Sequence, residues 1–122
     1  MEAVVSGPDA ANRLFICTGI ANLQMSLDRK QGQITETWTF FVGPTLTREQ
    51  FYRAIGTASA SLQTMDILGA PAGFTVHITS VEADWDDESE RVEVRVEISL
   101  SSNLMSIMVN QLRYWVTILA KI

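Results

Sequence analysis

The chain has 122 residues, 47% of them hydrophobic and 19% charged, with a formal net charge of −5. That length and balance describe one domain able to bury a core without a disulfide or a structural metal. They argue against nucleic-acid binding, which needs a basic face or stripe, because the dense charge has the opposite sign: Glu82 to Glu97 holds eight acids and two arginines, a sum of −6, leaving +1 for the rest.

Residues 1–12 read as an N-terminal arm or loop with Gly7-Pro8-Asp9 as its turn, ahead of a single domain over 13–122. The start of the chain lacks the basic residues and long apolar stretch of a signal peptide. From Phe15 an alternation sets in. Phe15, Cys17, Gly19, Ala21, Leu23, Met25 and Leu27 share one side of an extended strand. The other side carries Leu14, Ile16, Thr18 and Ile20, then turns polar at Asn22.

Asp28-Arg29-Lys30-Gln31-Gly32 reads as a hairpin turn that returns Gln33–Val42 as the antiparallel partner. Ile34, Glu36, Trp38, Phe40 and Val42 lie on one side of that strand; Thr35, Thr37, Thr39 and Phe41 lie on the other. Gly43-Pro44 stops it. A capping box at Thr47 and Gln50, a hydrophobic staple from Leu46 to Phe51, and the spacing of Phe51, Ile55, Ala58, Leu62 and Met65 predict a helix. Gly69-Ala70-Pro71-Ala72-Gly73 ends it.

Phe74-Val76-Ile78 and Val92-Val94-Val96-Ile98-Leu100 predict two more strands joined by the acidic segment. Residues 104–121 satisfy two periods at once. A closing strand over about 111–121 is preferred, because Tyr114-Trp115-Val116-Thr117-Ile118 is rich in β-formers and would cover an open edge; a second helix over 104–121 is the alternative. The expected fold is therefore α+β: a bent antiparallel sheet of about five long strands, in the order β-β-α-β-β-β, with one helix packed on one face.

Catalytic signatures are absent. There is no phosphate-binding glycine loop, no zinc-protease motif and no nucleophile elbow. One histidine and one cysteine make a zinc site implausible, and no cofactor or metal is expected. The acidic run fails as an EF-hand: counted from Asp84, position 6 is Ser89 rather than glycine and position 12 is Arg95 rather than glutamate. It reads as the solvated end of a hairpin, with Trp85 folded back onto apolar neighbours. A Cys17–His77 pair would need both on adjacent strands and the same side, which nothing in the sequence arranges. Glu36 shares the side of Trp38 and Phe40; its expected place near the open end of the hairpin lets it reach water.

What remains is an apolar excess. Leu14, Ile16, Ile20, Phe41, Trp115 and Leu119 fall on the side away from Phe40 and Val116, and one helix cannot cover two faces. The economical cover is a second copy of the chain or a partner protein. The expected function is a non-catalytic oligomeric interaction or assembly module, a homodimer or higher. The alternative is a small-molecule-binding protein or small enzyme with a pocket between helix and sheet, lined by Glu36, Trp38, Tyr52 and His77. The apolar window Leu104–Ile122 is interrupted by Asn110, Gln111, Arg113 and Lys121, which are costly in a bilayer core, so no membrane span is expected and the cytoplasm is the default location.

Overall fold

In the computed structural model, residues 2–6, 12–27, 32–64, 73–103 and 107–121 are described. They form seven strands: β1 (Glu2–Ser6), β2 (Asn12–Leu27), β3 (Gln33–Val42), β4 (Phe51–Thr64), β5 (Gly73–Trp85), β6 (Val92–Asn103) and β7 (Ile107–Lys121). Two antiparallel sheets result, one in the order β1-β2-β7-β4 and one in the order β3-β6-β5. Their inner faces share one hydrophobic core, so the architecture is an all-β sandwich.

The pattern of burial follows from the order of strands. β6 and β7 are central and supply the most deeply buried side chains, Val92, Val94, Val96, Ile98 and Leu100 from one and Ile107, Val109, Leu112, Val116, Ile118 and Ala120 from the other. β2 adds Cys17, Met25 and Leu27, and β3 adds Val42. A face of β-branched residues at every second position needs a matching apolar face opposite, and here a second sheet provides it.

The α+β expectation is overturned: there is no helix among the described residues, and a second sheet occupies the place assigned to one. The start signal at Thr47 is real but local. The Thr47 N–H donates to Gln50 Oε1 at 2.8 Å, and the N–H groups of Gln50 and Phe51 donate to the Thr47 carbonyl at 3.1 and 3.2 Å. One turn forms and the helix does not propagate. Gly56-Thr57-Ala58-Ser59-Ala60-Ser61 consists largely of weak helix formers and also alternates hydroxyl with small apolar residues. β4 pairs with β7 from Phe51 to Thr64, and that tertiary pairing outweighs a marginal local helix. Met65 and the segment through Ala72 lie outside the described residues.

Three further expectations change. β7 starts at Ile107, so the helix alternative over 104–121 is replaced by strand from 107 to 121; 104–106 lie outside the described residues. Glu2–Ser6 of the expected arm pairs with β2, Val4 opposite Phe15; Gly7-Pro8-Asp9 lie outside the described residues. β3 has the predicted bounds but not the predicted partner. It pairs with β6, while β2 pairs with β1 and β7. A five-residue connection can cross between sheets as readily as it can fold a hairpin, and residues 28–31 of it lie outside the described residues.

The crossing from β3 to β4 is pinned to the β5–β6 hairpin. The Leu46 N–H donates to the Glu90 carbonyl at 2.7 Å, and Arg91 Nε donates to the Gly43 carbonyl at 2.9 Å. The two sheets come together along β4 and β5. Gly56 permits it: a Cβ there would stand 3.2 Å from Val81 Cγ1.

Candidate functional site

Alternation gives each sheet an outer face, and the two outer faces differ in kind. On the four-stranded sheet, register aligns the outward residues in rows across β2, β7 and β4: Leu14–Leu119–Arg53, Ile16–Thr117–Ile55, Thr18–Trp115–Thr57 and Ile20–Arg113–Ser59. Ile55 is 63% exposed, Trp115 53%, Ile20 51% and Leu119 39%. Taking about 3.4 Å per residue and 4.8 Å between strands, this patch has a footprint on the order of 300 Å². Its charged groups are Arg53, Arg113 and Lys121, and no carboxylate faces outward beside them among the described side chains.

On the three-stranded sheet the outward residues are polar apart from Phe41. β3 presents Thr35, Thr37, Thr39 and Phe41; β6 presents Glu93, Arg95, Glu97 and Ser99; β5 presents Thr75, His77, Ser80, Glu82 and Asp84. Side chains bond across strands: Thr35 to Ser99 at 2.9 Å, Thr79 Oγ1 to Glu97 Oε1 at 2.6 Å, and Thr75 to Ser101. Arg95 reaches Glu93 at 3.4 Å. Four carboxylates against one guanidinium leave this face at −3, while the other outer face stands at +3.

The residues singled out from sequence are distributed as follows. Leu14, Ile16, Ile20, Trp115 and Leu119 come together on the outer face of the four-stranded sheet. Phe41, 44% exposed, lies on the outer face of the other sheet, opposite Glu93. Ile55 and Arg53 belong to the apolar face but were hidden from sequence reasoning by the helical reading of their segment; the alternation Arg53, Ile55, Thr57, Ser59 was the available signal.

The four residues proposed to line a pocket are not brought together. Trp38 points into the core from β3, and its indole N–H is buried without a partner among the described residues. Glu36 has the same phase but is exposed, because β3 is an edge strand; a charge there also deters pairing with another edge. His77 is exposed on the outer face of β5, and Tyr52 sits at a bulge in β4 on the other sheet. Open hollows of about 240, 240 and 400 Å³ lie elsewhere, against Glu82, Asp86 and Arg95, against Ser59, Arg113 and Trp115, and against Thr37, Ser80 and Glu97. None of the three is lined by Glu36, Trp38, Tyr52 or His77. Cys17 is buried on the inner face of β2, on a different sheet from His77.

The acidic segment is a hairpin end. The Asp86 N–H donates to the Arg91 carbonyl and the Glu90 N–H to the Asp86 carbonyl, both at 2.8 Å. Asp86 Oδ2 accepts from the Ser89 N–H at 2.9 Å and from Ser89 Oγ at 2.8 Å, and these bonds hold the Asp86 pKa below its ordinary value. Trp85 packs on the core, donates its indole N–H to the Leu46 carbonyl at 2.8 Å, and has the Arg48 guanidinium 5.9 Å over its ring. Among the described residues, no three His, Cys, Asp or Glu side chains are grouped to hold a metal ion, and no helix is long and apolar enough to cross a membrane.

Comparison of the chain with known protein families, with curated proteins and with solved structures gives no match.

Proposed function

We propose that this protein is a non-catalytic assembly module that associates with copies of itself through the outer face of its four-stranded sheet. The observation that carries the reading is the exposure of Ile20, Ile55, Trp115 and Leu119 side by side on β2, β4 and β7. A core-forming sandwich has no need of that face for its own stability, since both inner faces are already satisfied by one another. An apolar patch of this size on a small domain is often functional. The scatter of Glu36, Trp38, Tyr52 and His77 over separate faces gives no support to a small-molecule site. We place the protein in the cytoplasm, a setting compatible with its single cysteine.

The test is absolute mass by light scattering on a sizing column at two protein concentrations. The expected result is a mass above the 13.5 kDa of one chain that rises with concentration, and a return to 13.5 kDa in the variant Trp115→Ser/Leu119→Ser with unchanged circular dichroism. A wild-type chain that stays at 13.5 kDa at both concentrations overturns the proposal.

A further inference from the structure

Resting on that reading, we infer that the contact is heterologous: the apolar, cationic outer face of the four-stranded sheet docks on the acidic outer face of the three-stranded sheet of the next copy. The argument is charge. Two apolar faces placed together would oppose Arg53, Arg113 and Lys121 with their own duplicates, and no outward carboxylate on that face is available to neutralise them among the described side chains. Two acidic faces placed together would do the same with Glu82, Asp84, Glu93 and Glu97. Like charges juxtaposed in an interface are costly, and opposite charges fix its register.

Only the mixed pairing sets +3 against −3. The cations are available for it, because no ion pair within the described residues engages Arg53, Arg113 or Lys121. The acidic face also offers an apolar foothold in Phe41 and the methyl groups of Thr35, Thr37 and Thr39. These two faces are opposite sides of one sandwich. A contact between them therefore leaves both end faces of a pair unfilled and adds further copies, as heterologous contacts do unless rotation closes them into a ring. Self-association through this contact does not stop at two copies, and it weakens with salt.

The experiment uses two charge-reversed full-length chains, Arg53→Glu/Arg113→Glu and Glu82→Lys/Glu93→Lys, each measured alone and mixed in equal amounts by light scattering and sedimentation. Each alone should associate at least about tenfold more weakly than wild type, and the mixture should regain association, since each carries the face the other lacks. Recovery on mixing also demonstrates that both variants are folded. If Glu82→Lys/Glu93→Lys associates like wild type and saturates at a dimer, the contact is apolar face to apolar face; self-association then stands and this inference falls. If neither variant associates and mixing restores nothing, charge pairing between the faces is refuted. A wild-type monomer removes the proposed function itself.

Discussion

Gly19 on β2 stands directly opposite Tyr114 on β7, and a Cβ at Gly19 would lie 2.6 Å from the Tyr114 hydroxyl oxygen and 2.9 Å from Cζ. The Tyr114 ring lies over Gly19 and packs against Phe40 of the opposite sheet, with ring centroids 4.8 Å apart and a 45° tilt. The missing side chain at 19 is thus the space into which the inter-sheet aromatic pair fits. Gly19→Ala should destabilise the fold by roughly 1–3 kcal/mol, the cost of overpacking a formed core. In urea unfolding, Gly19→Ala/Tyr114→Phe should cost less than the two single changes summed, because the closest overlap has been removed. Strict additivity would show that Tyr114 does not meet residue 19.

Gly43 tests backbone rather than packing. Its φ of +77° is disfavoured for any residue with a Cβ, and a Cβ there would come 2.7 Å from Ile118 Cδ1. The Ile118 methyl is the end of a side chain and can turn aside, whereas the dihedral cannot change without moving the crossing from β3 to β4. Gly43→Ala should cost roughly 1–3 kcal/mol. Adding Ile118→Val should recover little of it. Full recovery in a denaturant series would assign the cost to the contact and not to the backbone.

Burial in the sandwich was legible wherever the period of two was unbroken. β3 was read to its observed ends, and the inner residues of β2, β3 and β6 were assigned to one side from alternation alone. β4 was misread because Phe51, Ile55, Ala58 and Leu62 satisfy a helical period by coincidence, while Arg53, Ile55, Thr57 and Ser59 satisfy the strand period. The decision between them rests on β7, more than forty residues away, and local sequence does not carry that information. The partner of β3 was missed for the same reason: its pairing with β6 is long-range, and a glycine-bearing connection of five residues fits either a hairpin or a crossing. The candidate apolar face was readable on β2 and β7, but its charge contrast with the opposite outer face became visible only once the strands were ordered.

Asp86 predicts a response to acid. Its carboxylate accepts first from the Ser89 backbone N–H and then from the Ser89 hydroxyl, and both favour the ionised form. A pKa lowered by folding means that the charged group stabilises the hairpin end fully above its unfolded pKa, near 3.8, and that this contribution is lost as the pH falls through the lower folded value. A carboxyl chemical-shift titration should find Asp86 ionising below the ordinary aspartate range, with the Ser89 amide losing protection from exchange in the same interval. Asp86→Asn should abolish that pH dependence. A titration midpoint at or above the ordinary value would contradict the bonding at the hairpin end.

Trp85 and Trp38 offer a matched comparison in one core. Both indoles pack against it from the three-stranded sheet, but Trp85 donates to the Leu46 carbonyl at 2.8 Å while the buried Trp38 N–H has no partner among the described residues. Replacing Trp by Phe removes similar apolar surface at either site and differs in the polar group lost. At Trp85 the change strands the carbonyl of the buried Leu46 and frees the crossing it holds, a loss of about 1–3 kcal/mol from the hydrogen bond alone. At Trp38 it removes a donor whose burial is itself a cost, which offsets part of the packing loss. Trp85→Phe should therefore be the more destabilising substitution by at least about 1 kcal/mol in urea unfolding. Equal costs, or a larger cost at Trp38, would mean that the Trp38 N–H is satisfied in solution and that the pocket around it is filled by something polar.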